Sequence, residues 1–524
     1  MSSMHGLPLL TADAMRTADA YTINTLGVPG QVLMETAGQQ ATRHIVQNYG
    51  PLSGMRVVIA CGSGNNGGDG LVVARELLDR EAHVHLLTSI PLSEYEGDAG
   101  ANAQILQRLA STYADHLHHT VVTTPDACPP LTTLRPQVCV DALLGTGLSD
   151  APREPLATVI RRLNATEAPT VALDIPSGLH GDTGQSHDPT VRAHSTVAFG
   201  AEKVGGRLAE GPAHAGQIQT VRIGIPQHVL HDAATNPGCA HATTDALVQA
   251  ARPQRDHTAH KYNVGMVLVI GGSAPYPGAP ILAARAAARS GAGYVACAVP
   301  ASIQGQVATH SPAFPVHGLP ETGSVLEPGS ALNVLQPLLE KARAVLLGPG
   351  LSTDAATQTL VRRVATAFNG PIVWDAGALP ALTDHLDLCR KQSSSRWILT
   401  PHAGEFRRLT ATNSLDWNRR ISLAQQYAAD WNATLLLKGH PSVVADPTGN
   451  TYVGRTGGPA LAVAGTGDVL AGLCAGLAAQ GTPPLDAAAA ALHWGGRAAD
   501  RYADTHDART LSPLDLIDLL PTVV

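Results

Sequence analysis

With 524 residues, the chain exceeds what one ordinary core organises, so roughly two to four domains of about 100–250 residues are expected. Hydrophobic residues make up 44% and charged residues 15%, a globular balance that excludes a disordered chain. Aromatic residues at 4% and a net charge of -7 offer neither a stacking surface nor a basic footprint, which excludes nucleic acid as a partner.

Two helical patterns, over residues 11–26 and 32–49, precede a first strand expected at 57–60. A glycine-rich loop then leads into a helical pattern over 71–78. Further strands are expected at 84–87, 138–140, 170–173, 195–199 and 219–223, with helical patterns between most of them. Such alternation builds a parallel sheet with crossover helices, the Rossmann-like, doubly wound α/β class. Residues 227–241, rich in His, Ala, Asn, Pro and Thr, read as a linker. Alternation resumes with strands at 265–270, 294–299, 344–347, 372–374, 397–399 and 435–437, and an Ala/Leu/Gly helix at 469–479. Residues 1–226 and 242–524 are thus expected to form two domains of one class.

Seven cysteines without a Cys-x-x-Cys pair read as reduced thiols, not a disulfide frame or a zinc site. No basic segment followed by an apolar run opens the chain, and the apolar stretch 469–479 is broken by glycine and too short for a bilayer. A cytoplasmic protein without membrane contact is expected.

In an open parallel sheet, ligands bind outside the carboxyl ends of the strands. Ser63-Gly64-Asn65-Asn66-Gly67-Gly68-Asp69-Gly70 lies between a strand and a helix, where backbone N–H groups meet an anion and glycine lets the backbone approach it. Asp141 and Gly145-Thr146-Gly147 follow the 138–140 strand. Asp174-Ile175-Pro176-Ser177-Gly178 follow 170–173, and Lys203 follows 195–199. The run Gly62-Ser63-Gly64-Asn65-Asn66-Gly67 fits a redox dinucleotide turn, but the acidic residue usual after the next strand is replaced by Thr88-Ser89-Ile90. Asp141 and Asp174 each fit a strand-end turn as well as a site. Together with Asn66 and Ser177 they make a hard-oxygen set suited to a monovalent ion rather than Ca²⁺.

Leu33-Met34-Glu35-Thr36-Ala37-Gly38, the glycine loop to Gly70, Asp141-Ala142-Leu143-Leu144-Gly145-Thr146-Gly147 and Asp174-Ile175-Pro176-Ser177-Gly178 together resemble the YjeF N-terminal family, the NAD(P)H-hydrate epimerases, over roughly residues 8–226. The resemblance implies that Asn65, Asn66, Gly67, Gly68 and Asp69, with Gly145, Thr146, Gly147, Leu148, Ser149, Asp150 and Ala151, hold the hydrated dinucleotide. It implies K⁺ on Asn66, Asp141 and Ser177. The chemistry is inversion at C6 of the hydrated ring, where the hydroxyl leaves with help from the ring nitrogen. Asp174 is the expected acid–base group in contact with the substrate, and Lys203 is the candidate for a second one.

In the second half, Gly465-Thr466-Gly467-Asp468 opens the 469–479 helix, whose N-terminus suits a phosphate or an oxyanion. Asp468 there fits either a base or an ordinary first-turn acid. His402 fits a loop histidine as well as a contact, and Glu405 fits a helix cap. With His260-Lys261-Tyr262-Asn263-Val264-Gly265, Gly271-Gly272-Ser273, Tyr276-Pro277-Gly278-Ala279, Thr400-Pro401-His402-Ala403-Gly404-Glu405 and Leu437-Lys438-Gly439, this half resembles the ribokinase-like superfamily. Within it, the likeness is to the ADP/ATP-dependent NAD(P)H-hydrate dehydratases, over about residues 242–520. The resemblance implies hydrate contacts at Ala279, Gly350, His402 and Asp468, and adenine-nucleotide contacts at Lys438, Gly439, His440, Pro441, Ser442 and Gly467. Three positions depart from that family's usual pattern: Val463 for threonine, Ala464 for glycine and Gly377 for aspartate.

The expectation is therefore a two-domain repair enzyme that epimerises R and S NADH-hydrate and NADPH-hydrate and dehydrates the S form. Its reaction would use ADP as phosphate donor, ATP being the other option, with Mg²⁺ and K⁺, in a homo-oligomer. The rival is a kinase for a small vitamin alcohol, fused to a nucleotide-binding sensory domain. It would leave a stable phosphorylated product, whereas the dehydratase releases free phosphate.

Overall fold

Runs such as Val57-Val58-Ile59-Ala60-Cys61, apolar on both faces, suit a parallel strand covered on both sides, and all five residues are buried. A computed structural model describes residues 5–148, 150–255, 257, 260–391, 396–412 and 415–523. The chain divides into two units, Leu7–Ala240 and a second one containing His241–Val524.

The first unit holds a seven-stranded sheet: β1 (Arg56–Cys61), β2 (His83–Thr88), β3 (Leu117–Val121), β4 (Val138–Ala142), β5 (Thr170–Leu173), β6 (Ser195–Phe199) and β7 (Gln217–Val221). All pairings are parallel, in the order β3-β2-β1-β4-β5-β6-β7. The order reverses between β1 and β4, so the loops after these strands open a crevice at the carboxyl edge. The loops after β5 and β6 lie beside them. The helix Asn65–Leu78 crosses the sheet with most of its residues buried.

Sequence periodicity missed β3. It is an edge strand, and its centre is His118-His119, both exposed, so it carries no apolar run. The expected linker is also corrected. Gln227–Ala233 is a helix whose Val229 and Leu230 join the core of Leu10 and Met15, and Cys239 joins the same core. Spaced apolar residues within the polar stretch give that helix a buried face. His5 and Gly6 group with the second unit, against the expectation that the first domain begins with the chain.

The second unit contains β8 (Ala240–Ala242), β9 (Met266–Ile270), β10 (Tyr294–Pro300), β11 (Val316–Leu319), β12 (Ala344–Leu347), β13 (Ile372–Trp374), β14 (Trp397–Leu399), β15 (Thr434–Leu437), β16 (Val443–Ala445) and β17 (Thr451–Val453). Their order is β11-β10-β9-β12-β13-β14-β15-β16-β17-β8. Pairing is parallel except at β15-β16 and β16-β17. The helix Thr466–Ala479 packs on Ala279–Arg289 through small residues. A Cβ on Gly472 would stand 2.2 Å from the Ala283 carbonyl oxygen, and one on Gly476 would stand 1.9 Å from Ser290 Oγ. This backbone-to-backbone approach fixes where the Thr466–Ala479 N-terminus points. Among the described residues no helix is long and apolar enough to cross a membrane. All seven cysteines are buried free thiols.

Candidate functional site

In the first unit the four loops meet as the strand order requires. Asn66 is buried in the first turn of Asn65–Leu78, and its amide nitrogen donates to the Leu144 carbonyl at 3.2 Å. That bond leaves Asn66 Oδ1 buried and, among the described residues, without a hydrogen-bond partner. A Cβ on Gly145 would lie 3.6 Å from Asn66 Cβ, so the first and second loops touch. Asp141, fully buried, accepts from the Ser177 hydroxyl at 2.6 Å, the Ser177 N–H at 2.8 Å and the Leu143 N–H at 3.2 Å. Burial pushes its carboxyl up to about 6, against these bonds, which favour the anion. Ser177 Oγ in turn accepts from the Leu144 N–H at 2.8 Å. Asn66, Asp141 and Ser177 thus form one oxygen-rich cluster.

Asp174 sits at the end of β5 with φ of 66°, a left-handed backbone that costs a non-glycine residue energy unless its surroundings impose it. Its Oδ1 accepts from the Phe199 N–H at 3.1 Å and from Lys203 Nζ. Lys203 also donates to the Phe199 and Ala201 carbonyls, both at 3.1 Å, so its three N–H groups have three protein partners. The Lys203 side chain is only 2% exposed, where an unpaired ammonium would cost several kcal/mol, whereas Asp174 is 17% exposed. Asp69 is buried, and its carboxyl is held well above the usual range by burial and by the nearby Asp174.

The other predicted residues lie on the same first and second loops. Gly67 and Gly68 serve packing: a Cβ on Gly67 would stand 1.8 Å from the Gly62 carbonyl oxygen, and one on Gly68 would stand 2.7 Å from Met34 Cε. Asn65, Gly147, Asp150 and Ala151 are exposed, Thr146 and Leu148 are half-buried, and Ser149 lies outside the described residues. Sequence reasoning missed Asp19, on the helix Ala12–Asn24. Its electrostatic partners are Lys203 and Asp174, and burial, its largest influence, helps push it up to about 6.

In the second unit, Lys438 follows β15 and donates to Asp375 Oδ1 at 2.8 Å. Asp375, 2% exposed, also accepts from Thr400 Oγ1 at 2.7 Å. Burial pulls the Lys438 ammonium down, but Asp375, Glu405 and Asp468 outweigh it and leave it above its ordinary range. A Cβ on Gly467 would lie 3.7 Å from Lys438 Nζ, which puts the ammonium at the start of Thr466–Ala479. Gly465 precedes that helix at φ of 96°. Asp468, in its first turn, is pushed up to about 7 by burial and by Asp375, with Lys438 opposing. Ser442 Oγ accepts from the Gly439 N–H at 3.2 Å and donates to the Gly439 carbonyl at 3.0 Å, which closes the Lys438–Ser442 turn. Within that turn His440 is exposed and Pro441 is buried.

Gly350, at φ of 70°, brings the loop after β12 onto the loop after β9: a Cβ there would meet Ala279 Cβ at 3.0 Å and the Tyr276 carbonyl oxygen at 2.7 Å. His402 is exposed and caps the helix Ala403–Thr410. Its Nδ1 accepts from the Gly404 N–H at 3.0 Å, and Glu405 returns the bond from the His402 N–H at 2.8 Å. Of the three departures Gly377 has a local cause, and nothing in the structure explains Val463 or Ala464. A Cβ on Gly377 would stand 2.3 Å from the Leu351 carbonyl oxygen, so no aspartate fits there. Near Val463 and Ala464, the Thr466 hydroxyl holds the turn by donating to the Leu461 and Val463 carbonyls at 3.0 and 2.9 Å.

Comparison with known proteins gives two family matches. Residues 30–205 match the family described as YjeF-related protein N-terminus, and residues 267–522 match that described as NAD(P)H-hydrate dehydratase. A Salinibacter ruber protein named bifunctional NAD(P)H-hydrate repair enzyme Nnr is 48% identical over 521 residues, 98% of this chain and 96% of its own length. A Moorella thermoacetica protein of the same name is 38% identical over 523 residues, again 98% and 96%. The ADP/ATP-dependent NAD(P)H-hydrate dehydratase of Bacillus subtilis, co-crystallised with ATP and Mg²⁺, is 30% identical at a TM-score of 0.43, covering 53% of this chain and 94% of that one.

Proposed function

The chain belongs to the bifunctional NAD(P)H-hydrate repair enzymes, and from this premise we propose which residues carry each activity. It epimerises R and S NAD(P)H-hydrate and dehydrates the S epimer to NAD(P)H. We assign epimerisation to the unit Leu7–Ala240 and dehydration to the unit containing His241–Val524.

Epimerisation needs a group that protonates the C6 hydroxyl and later takes a proton from the entering water. The half-buried Asp174 fits, because the Phe199 N–H and Lys203 fix its carboxylate while part of it meets solvent. Lys203 is the electrostatic partner of that carboxylate as the ring cation forms and collapses. The loops of Asn65–Asp69 and Gly145–Ala151 would hold the nucleotide. Asn66, Asp141 and Ser177 fit K⁺: the orphaned Asn66 Oδ1 offers a free donor, and the set holds a single carboxylate. Bound there, K⁺ would balance the Asp141 charge and brace the loops.

In dehydration, Asp468 accepts the hydroxyl proton as the C6 oxygen attacks the terminal phosphate of an adenine nucleotide. Lys438 and the Thr466–Ala479 N-terminus meet the phosphates, with Gly439, His440, Pro441, Ser442 and Gly467 around the nucleotide and Ala279, Gly350 and His402 along the hydrate. Mg²⁺, when bound with the phosphates, would offset their charge. The new ester then loses phosphate from C6 with help from the ring nitrogen, and the ring cation gives up a proton from C5, leaving NAD(P)H, phosphate and, from ADP, AMP.

The single observation that carries this reading is the Lys438–Asp375–Asp468 group at a helix N-terminus, with Asp468 poised near neutrality. Mixed R and S NADH-hydrate with ADP and Mg²⁺ should be recovered completely as NADH, with phosphate released. A stable phosphorylated product would instead indicate a kinase. Seven buried thiols fit the cytoplasm, and a homo-oligomer is part of the same reading.

A further inference from the structure

Arg420 opens the helix Arg420–Trp431 and is buried. A cation at the first residue of a helix opposes the dipole, and a guanidinium taken out of water is costly without a counter-charge. Among the described residues no carboxylate pairs with it, whereas the adjacent Arg419 is exposed and pairs with Asp416. Arg420 Nε is buried and, among the described residues, has no hydrogen-bond partner. Its Cζ lies 5.3 Å from the centre of the Trp417 ring, whose π face is the one local compensation for the charge.

What the guanidinium does hold is backbone. Its Nη2 donates to the Leu437 carbonyl at 3.4 Å and to the Lys438 carbonyl. A Cβ on Gly439 would stand 2.2 Å from Nη2 and 2.7 Å from Cζ, so the Gly439 backbone lies directly against the guanidinium. The Gly439 carbonyl accepts from Ser442 Oγ at 3.0 Å, and the Lys438 N–H donates to the Pro401 carbonyl at 2.9 Å. Three successive carbonyls, of Leu437, Lys438 and Gly439, are therefore engaged by side-chain donors. A carbonyl oxygen turned toward a phosphate would repel it, whereas N–H groups and cations attract it. The same tether fixes the Lys438 backbone, from which the ammonium reaches the start of Thr466–Ala479.

We propose that Arg420 is a positioning residue of the second site, which shapes the Lys438–Ser442 turn to receive the phosphates of an adenine nucleotide. Its guanidinium holds the Leu437 and Lys438 carbonyls away from the ligand. Its charge, unopposed by a carboxylate, favours an anion from behind the turn. The inference rests on the reading that this turn meets the nucleotide. It also gives the buried charge a purpose: the cost of an unpaired guanidinium is offset where a bound polyphosphate supplies the negative charge nearby. Arg420 touches neither the hydrate nor Asp468 in this scheme, so it acts on nucleotide affinity and not on the chemical step.

The test measures initial rates of NADH formation from S NADH-hydrate by the full chain with Mg²⁺, as ADP, and separately ATP, is varied. R420Q should raise KM for the nucleotide by at least about tenfold, the lower end of what hydrogen bonds from a charged group contribute, with kcat and KM for the hydrate kept. Saturating hydrate aside, ADP should also raise the Tm of R420Q less than that of wild type. R420K keeps the charge but loses the planar fork, so its KM should rise less than that of R420Q. R419Q should match wild type throughout. An active wild type with R420Q at wild-type KM for the nucleotide overturns this inference alone. So does an R420Q loss confined to kcat, or one that R420K leaves as large and that comes with a lower Tm. Where R420Q does not fold, R420K at wild-type KM overturns it. A wild type whose rate has no saturable dependence on ADP or ATP overturns the reading of the turn and this inference with it.

Discussion

The two units each bury a lysine against an aspartate, and the pairs differ in which partner meets solvent. In the first, Lys203 is 2% exposed and Asp174 is 17% exposed. In the second, Lys438 is 20% exposed and Asp375 is 2% exposed. Lys203 has three protein partners, whereas Lys438 donates to Asp375 alone among the described residues. The first pair thus offers a carboxylate and the second offers N–H donors. A carboxylate suits proton transfer at a hydroxyl, and an ammonium at a helix N-terminus suits a polyphosphate. One pairing motif serves two chemistries because burial decides which member reaches the ligand.

The most severe way to break this contrast is at the exposed carboxylate. D174N should reduce epimerisation by about 1,000-fold or more while leaving dehydration of the S epimer at wild-type rate, measured by NADH absorbance with ADP. Near-normal epimerisation in this variant would remove Asp174 from the chemistry.

Next in size is Asp468. D468N should cost about 1,000-fold in dehydratase kcat and leave epimerisation intact. Because the base must be ionised and its carboxyl lies at about 7, the wild-type rate should rise with pH through that region, and the small residual D468N rate should lack this limb. The stability sign runs the other way. A carboxyl raised from 3.8 to about 7 on folding opposes folding once pH passes the unfolded value, and this cost is complete above the folded one. D468N should therefore have a higher Tm than wild type at pH 8 and an equal one at pH 3. Equal Tm at both values would contradict the desolvation of Asp468.

K438A sharpens the contrast with a smaller effect. Loss of its N–H donors should raise KM for ADP at least about tenfold, near 1.4 kcal/mol, without touching the epimerase. An unchanged KM would mean that the Lys438 ammonium does not meet the nucleotide. The smallest effect concerns stability alone. G377A places a methyl against the Leu351 carbonyl and should destabilise by about 1–3 kcal/mol in chemical denaturation. An unchanged midpoint would show that this loop can yield and that the glycine is not sterically required.

Much of the first unit was legible in the sequence because its central strands are buried on both faces and carry apolar runs, as at 57–61 in β1 and 138–140 in β4. Edge strands lack that signal, so β3 was missed, and β7 was expected two residues late. The site loops were legible because glycine, aspartate and asparagine clusters follow strands at positions where parallel sheets open. Asp19 was not, because a lone aspartate on an amphipathic helix looks like a solvated residue until the helix is placed. The meaning of Gly67 and Gly68 was also hidden. Glycine serves a ligand and a crowded packing contact equally well, and only the neighbours Gly62 and Met34 reveal the second use. His402 shows both readings at once: it caps its helix through Nδ1 and still exposes its ring.

By itself the sequence determined the alternation of strand and helix, the class of sheet and the loops that carry ionisable groups. These depend on hydrophobic period and on local backbone freedom, which neighbouring residues encode. Only the tertiary structure decided that residues 227–240 complete the first core, that Asp19 feels the charges of Asp174 and Lys203, and that Lys438 rather than Asp375 faces outward. Desolvation and charge coupling depend on what packs around a group from distant parts of the chain, and that is fixed only when the units fold.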